Sequence, residues 1–352
     1  MGLSPHQPTT LSPPSAPTCE VATVFPPETQ RRIDTRLQEL HERCLPEPRE
    51  KVEHYYTSGR GYYPPAEAGE ERDRFAISVT TVDGQRHEVG DHDVSFPLQS
   101  ISKVFTYGMA LADHSRDEVL ARVGVEPSGE AFHSLRFDER HRRPFNPMVN
   151  AGALVTSSLV RGETPDEQLT RMLTTLRAYA ANDQLHVDAP TVTAEVRTAD
   201  GNRGTAYLMR SAGMLHGDVE RILELYLQQC SVLVTSGDLS TMAATLANGG
   251  INPTTGQTVL PRKQVRDVLS VMHTCGMYDY AGTWAFDVGV PAKSGVSGAI
   301  MAVIPGKMGI AVYSPGLDVF GNSVRGVRVC TEISDRLGLH VFATEAEDVL
   351  LA

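Results

Sequence analysis

The strand signals of this chain sit at its two ends, and that placement decides most of what it can fold into. Near the N-terminus, "RFAISVTTVDGQRHEVGD" is a β-branched run, an Asp83-Gly84 turn and a second run, the pattern of a hairpin. Toward the C-terminus, "AKSGVSGAIMAVIP", "GKM" and "GIAVYSP" make another. Between about 116 and 285 the apolar spacing is helical instead. Runs over 149–160, 166–180, 204–214, 217–230, 236–248 and 262–275 are separated by Gly, Pro and Asn. A polar helix over 27–44, opened by Pro26 and Pro27, precedes the first hairpin, and an amphipathic helix from about Ser323 to Leu337 follows the last. The expectation is an α+β fold. One antiparallel sheet is built from the N- and C-terminal strands and flanked by helices, with a mostly helical domain inserted beside it. Residues 27–345 then form one unit, with 27–115 and 285–345 carrying the sheet and 116–284 the helical part. No internal repeat of period 20–50 is evident.

With 352 residues the chain can bury an ample core. Its net charge of −11 argues against nucleic acid as a partner and gives no reason to expect an anionic membrane. The first 26 residues are rich in Pro, Ser and Thr, without a basic or apolar leader segment, and read as a disordered tail. Five widely spaced cysteines contain no CxxC pair, so they fit reduced thiols better than a zinc site or a disulfide framework. A cytoplasmic chain is expected.

Lysine is scarce, at five residues, and one of them stands three positions after a serine in "FPLQSISKVF". Ile101, Val104, Phe105, Gly108 and Ala112 repeat at helical spacing, so Ser100 opens a helix and shares a side of it with Lys103. A neutral lysine can take the serine proton if burial lowers its pKa, and the helix N-terminus favours an alkoxide. About 0.3 such S-x-x-K matches are expected by chance, so the motif alone is also consistent with a helix cap and a surface lysine. Ser102 competes as the hydroxyl, but its spacing turns it away from Lys103. Late in the chain, Lys293-Ser294-Gly295 opens a strand as the K-T-G element does in serine β-lactamases and penicillin-binding proteins. The backbone N–H of Val296, with that of Ser100, would form an oxyanion hole. The two elements in this order point to acyl transfer through a serine.

"PLQSISKVF", "NPMVNAGAL", "ELYLQQCSV", "TLANGGINP", "TCGMYDYAG" and "PAKSGVSGAI" together resemble the motifs of the serine-dependent glutaminases, from about Tyr63 to Leu339. The resemblance implies a serine β-lactamase-like fold and hydrolysis of L-glutamine to L-glutamate and ammonia through a glutamyl-serine intermediate, without metal or organic cofactor. It implies Ser100 as nucleophile, Lys103 as base, and Tyr278 as the group passing a proton to the departing ammonia. Tyr63, Asn150, Glu195, Asn202 and Tyr226 match substrate-binding positions, joined by Ser100, Tyr278 and Val296, and Lys293 has a supporting electrostatic role. A homodimer or homotetramer is implied as well. Without the resemblance, Glu195 reads as a solvated loop charge, Asn150 as a helix cap and each tyrosine as a half-buried aromatic. The chain departs from the family in "ADGNRGTAY" and in the polar stretch "GRGYYPPAEAGEERDR", both at the pocket rim. Two rivals are a β-lactamase or peptidase with the same chemistry and a non-catalytic regulatory relative. Glu195, suited to an ammonium, speaks against the first, and the occupied Ser100 and Lys103 positions against the second.

Overall fold

The computed structural model describes residues 27–46, 73–129 and 136–343. Its sheet joins the two ends of the chain as expected. Strands β1 (Ala76–Thr81), β2 (Arg86–Gly90), β5 (Ala292–Gly295), β6 (Ala299–Ile304) and β7 (Met308–Tyr313) lie in the order β2-β1-β7-β6-β5, every neighbouring pair antiparallel. The late hairpin of the sequence is a three-stranded meander. Gly298, at φ +94°, turns the chain between β5 and β6, within the stretch "SGVSG" whose Gly and Ser are themselves a turn signal.

Side chains of β6 and β7 alternate between two cores. Ile300, Ala302, Ile310 and Val312 face one, and Ala299, Met301, Val303 and Ala311 the other. Both faces are covered, which is why "AIMAVI" is buried throughout and shows no polar alternation. On one face lie α1 (Pro27–Cys44) and α12 (Val324–Leu337). On the other, α9 (Ser236–Ala247) runs across β1, β6 and β7 with every residue buried. It comes so close that a Cβ on Gly309 would stand 2.2 Å from the backbone nitrogen of Ala244. Its polar groups pair with β1, Ser236 with Ser78 and Thr80 with Ser240, both at 2.7 Å.

The helical block contains α3 (Arg116–Arg122), α4 (Asn150–Ser158), α5 (Pro165–Ala180), α6 (Ala189–Arg197), α7 (Asp200–Ser211), α8 (Val219–Cys230), α10 (Arg262–Cys275) and α11 (Ala281–Asp287). Helix α2 (Ser102–Asp113) is buried from Ser102 through Leu111 and links this block to the sheet. Helices α3, α6 and α11 have no counterpart among the sequence expectations, and α7 starts four residues earlier than its expected run. The signal for α6 was present, since Asp188 caps it by accepting from the N–H of Thr191 and Pro190 occupies its first turn. A short pair, β3 (Phe96–Pro97) with β4 (Leu233–Val234), ties the approach to Ser100 to the end of α8.

Candidate active site

Ser100 does not cap a helix. It sits in the middle of a 3₁₀ turn over Gln99–Ile101, and α2 begins only at Ser102. The turn starts from a left-handed Gln99 at φ +49°, one of four non-glycine residues with positive φ among the described residues. Such a conformation costs about 1–2 kcal/mol and persists only where the surroundings impose it. Here the Ser102 hydroxyl donates to the Gln99 carbonyl at 2.7 Å, and the Gln99 side-chain amide donates to Glu195 Oε1 at 2.8 Å. Ser102 is thereby engaged away from Lys103.

Lys103 lies one turn further along, with no exposed surface. Its Nζ is 3.1 Å from the Ser100 hydroxyl and 2.7 Å from Asn150 Oδ1. Burial pulls its pKa down to about 8, partly opposed by the neighbouring Cys230. A neutral amine that gives one N–H to Asn150 keeps its lone pair for the Ser100 proton. Asn150 is the first residue of α4 and joins three more elements. Its Nδ2 donates to Asn202 Oδ1 on α7 at 2.9 Å, and the Tyr226 hydroxyl on α8 donates to its Oδ1 at 3.3 Å. Burial holds the Tyr226 phenol protonated well above its ordinary range.

Glu195 is carried by α6, where it is half-buried, and not by a solvated loop. Burial raises its pKa and the Gln99 bond opposes that shift. On the opposite wall, the Tyr278 hydroxyl donates to the Ser294 carbonyl at 2.9 Å, and Lys293 Nζ donates to the same oxygen at 2.6 Å. Tyr278 is itself left-handed, at φ +55°. Lys293 is fully buried 4.1 Å from the Tyr278 ring centroid. Burial first and Lys103 second push it well below the usual lysine range. An amine kept neutral brings no cation to the ring, so the contribution available to it is the N–H on Ser294. Val296 begins the turn after β5. A Cβ on Gly295, the residue before it, would stand 3.1 Å from the Leu98 carbonyl and 3.3 Å from Ile101 Cγ1, so this strand end presses on the Ser100 turn.

The expected site residues therefore fall into two walls. Ser100, Lys103, Asn150, Asn202 and Tyr226 share one hydrogen-bond network, with Glu195 linked to its turn through Gln99. Tyr278, Lys293 and Val296 gather around Ser294 and Gly295 across from it. Tyr63 lies outside the described residues, as does the N-terminal tail. Two residues join the site that the sequence did not single out for it. Gln99 bridges nucleophile turn and Glu195, and Cys230 is buried 3.8 Å from the Ser102 hydroxyl. Cys230 follows Tyr226 by one helical turn on α8, a spacing that would have flagged it.

A strained serine turn, a buried lysine beside it and a sheet strand opposite lie together on an antiparallel sheet flanked by helices, the arrangement of the β-lactamase-like fold. The family model for glutaminase matches residues 61–342. A glutaminase of Trichormus variabilis is 55% identical over 280 residues, spanning 80% of this chain and 84% of that protein. Glutaminase 2 of Clostridium perfringens is 41% identical over 308 residues, 87% of this chain and all of its own length. Among solved structures, a probable glutaminase, YbaS, superposes with a TM-score of 0.82 at 36% identity, covering 89% of this chain and 98% of that one. The probable glutaminase of Bacillus subtilis does so at 0.78 and 32%, covering 88% and 98%. The chain belongs to the glutaminase family.

Proposed function

We propose that this chain hydrolyses the side-chain amide of L-glutamine through a glutamyl-serine ester. The observation that carries the reading is Lys103, without exposed surface and 3.1 Å from the Ser100 hydroxyl, with one N–H committed to Asn150. Lys103 takes the Ser100 proton as Oγ attacks the amide carbon, and the oxyanion is met by the N–H groups of Ser100 and Val296. The C–N bond breaks as the nitrogen receives a proton, which Tyr278 passes on, and ammonia leaves. Water then attacks the ester, releasing glutamate and returning a proton to Ser100. Glu195 and Asn202 hold the amino-acid end, the carboxylate meeting the α-ammonium. Lys293 supports the Tyr278 wall through Ser294, and Tyr63 is assigned to the pocket by resemblance alone.

A cytoplasmic location and a homodimer or homotetramer belong to the same reading. Cys44, Cys230, Cys275 and Cys330, buried and free among the described residues, support the first. Among the described residues no helix is long and apolar enough to cross a membrane. The test is ammonia release from L-glutamine, L-asparagine and D-glutamine, with Ser100→Ala alongside and acid-quenched enzyme digested for mass spectrometry. Turnover of L-glutamine, lost by at least about 10³-fold in the variant, with a glutamyl adduct on the Ser100 peptide, is expected. Folded protein that releases ammonia from none of the three would overturn the activity. Turnover with Ser100→Ala intact would overturn the mechanism alone.

A further inference from the structure

On the sheet face opposite α9, helices α1 and α12 leave a groove between them with a volume of about 230 Å³. It does not touch the Ser100 network, whose apolar surroundings belong to the core on the other face. Its floor is aliphatic: Val79 and Ile310 from the sheet, Leu37 and Leu40 from α1, Ile333 and Leu337 from α12. An apolar cavity of about 150 Å³ is already large enough to take up benzene. Four arginines stand at the mouth, Arg32, Arg36, Arg43 and Arg336, against the two carboxylates of Glu39 and Glu332. That is a cationic spot on a chain whose net charge is −11.

The four arginines are not equivalent. Glu332 already holds Arg43 at 3.0 Å, Arg328 at 3.3 Å and Arg336 at 3.6 Å. Arg32 and Arg36 are exposed and make no ion pair among the described residues. They stand four apart on α1, so both guanidinium groups reach one point above the groove. An aliphatic slot beneath two free guanidiniums matches one chemistry, a single anionic head on a short apolar tail.

We propose that this groove is a binding site for a small anionic amphiphile, its carboxylate on Arg32 and Arg36 and its tail between Leu37 and Ile333. The test is calorimetric titration of the full chain with octanoate, 1-octanol and octylammonium. Octanoate should saturate one site, at least about tenfold tighter than the alcohol, and octylammonium should not bind. Arg32→Glu with Arg36→Glu should weaken octanoate by at least about tenfold and leave the alcohol unchanged, while Leu37→Trp should abolish both. Glutamine turnover should persist in each variant, reporting an intact fold far from the groove. Non-saturating uptake, equal affinity for the three amphiphiles, or undiminished octanoate binding in the charge-reversed variant would overturn the proposal. If Leu37→Trp does not fold, the exposed arginine pair still decides the matter.

Discussion

Lys103 is fully buried and its counterpart across the site, Lys293, is buried too. Neither has a carboxylate partner among its hydrogen bonds, so desolvation disfavours both ammonium forms. For a base this is the useful state. With Lys103 near 8, kcat/KM for glutamine should rise about tenfold per pH unit below that value and level off above it. A profile flat from pH 6 to 9 would remove Lys103 from the role. The same shift has a stability consequence. Its folded-state pKa lies below the 10.5 of the free side chain, so between about 8 and 10.5 the unfolded chain binds more protons. Stability therefore rises with pH across that window, and the whole cost, up to roughly 3 kcal/mol, is present below it. Lys103→Met should lose activity yet unfold at higher denaturant concentration than wild type at pH 7, with the gap narrowing toward pH 10. Parallel curves at both pH values would contradict this.

The element that organises the site is the three-residue turn before α2. Its first residue is strained, its second carries the hydroxyl, and its side-chain amide reaches α6, 96 positions away in sequence. Strain and anchoring can be separated by substitution. Gln99→Ala removes the bond to Glu195 and keeps a Cβ at positive φ, whereas Gln99→Gly removes both. The glycine variant should be the more stable by about 1 kcal/mol in equilibrium denaturation. Both should raise KM for glutamine about tenfold while kcat changes less, because the proposed role of Glu195 is to hold the α-ammonium of the substrate, away from the scissile amide. A fall in kcat with KM unchanged would place Gln99 in the chemistry instead.

At the scale of the whole molecule, four of the five strands, β1, β5, β6 and β7, are buried on both faces because α1 and α12 cover one and the helical block the other. Helix α1 is part of this cover, contributing buried Ile33, Leu37 and Leu40 and an ion pair from Arg43 to Glu332. Each aliphatic side chain is worth about 1.5–3 kcal/mol when fully buried. Deleting residues through 46 should thus remove several kcal/mol and expose Val79 and Ile310. The expected outcome is loss of a sharp thermal transition with increased binding of a hydrophobic dye. A truncated chain that melts as cooperatively as the full one would show that α1 is an accessory.

Strand signals at the two ends and helical spacing between them were enough for the α+β sheet, since β-branched runs closed by turn residues, and helices with one buried face, are both marked in the local sequence. Helix α1 kept its bounds at 27–44 for the same reason. Ser100 and Lys103 were legible because their chemistry is local, one turn apart. Asn150, Asn202, Tyr226 and Tyr278 came from resemblance, as residues of ordinary type in segments that meet only in space, and Val296 from the Lys293-Ser294-Gly295 element before it. Glu195 came from the same resemblance, reading otherwise as a solvated loop charge, and the docking of α6 half-buries it. Gln99 was not singled out at all. A left-handed residue held by a partner 96 positions away leaves no trace in composition or spacing. The turn within 292–304, by contrast, is written in the Gly and Ser of "SGVSG", and only the long apolar strand that follows it makes the segment read as one piece. The amine of Lys103 suits the base role proposed for it for both kinds of reason: local sequence put it beside a serine, and the tertiary structure took away its water.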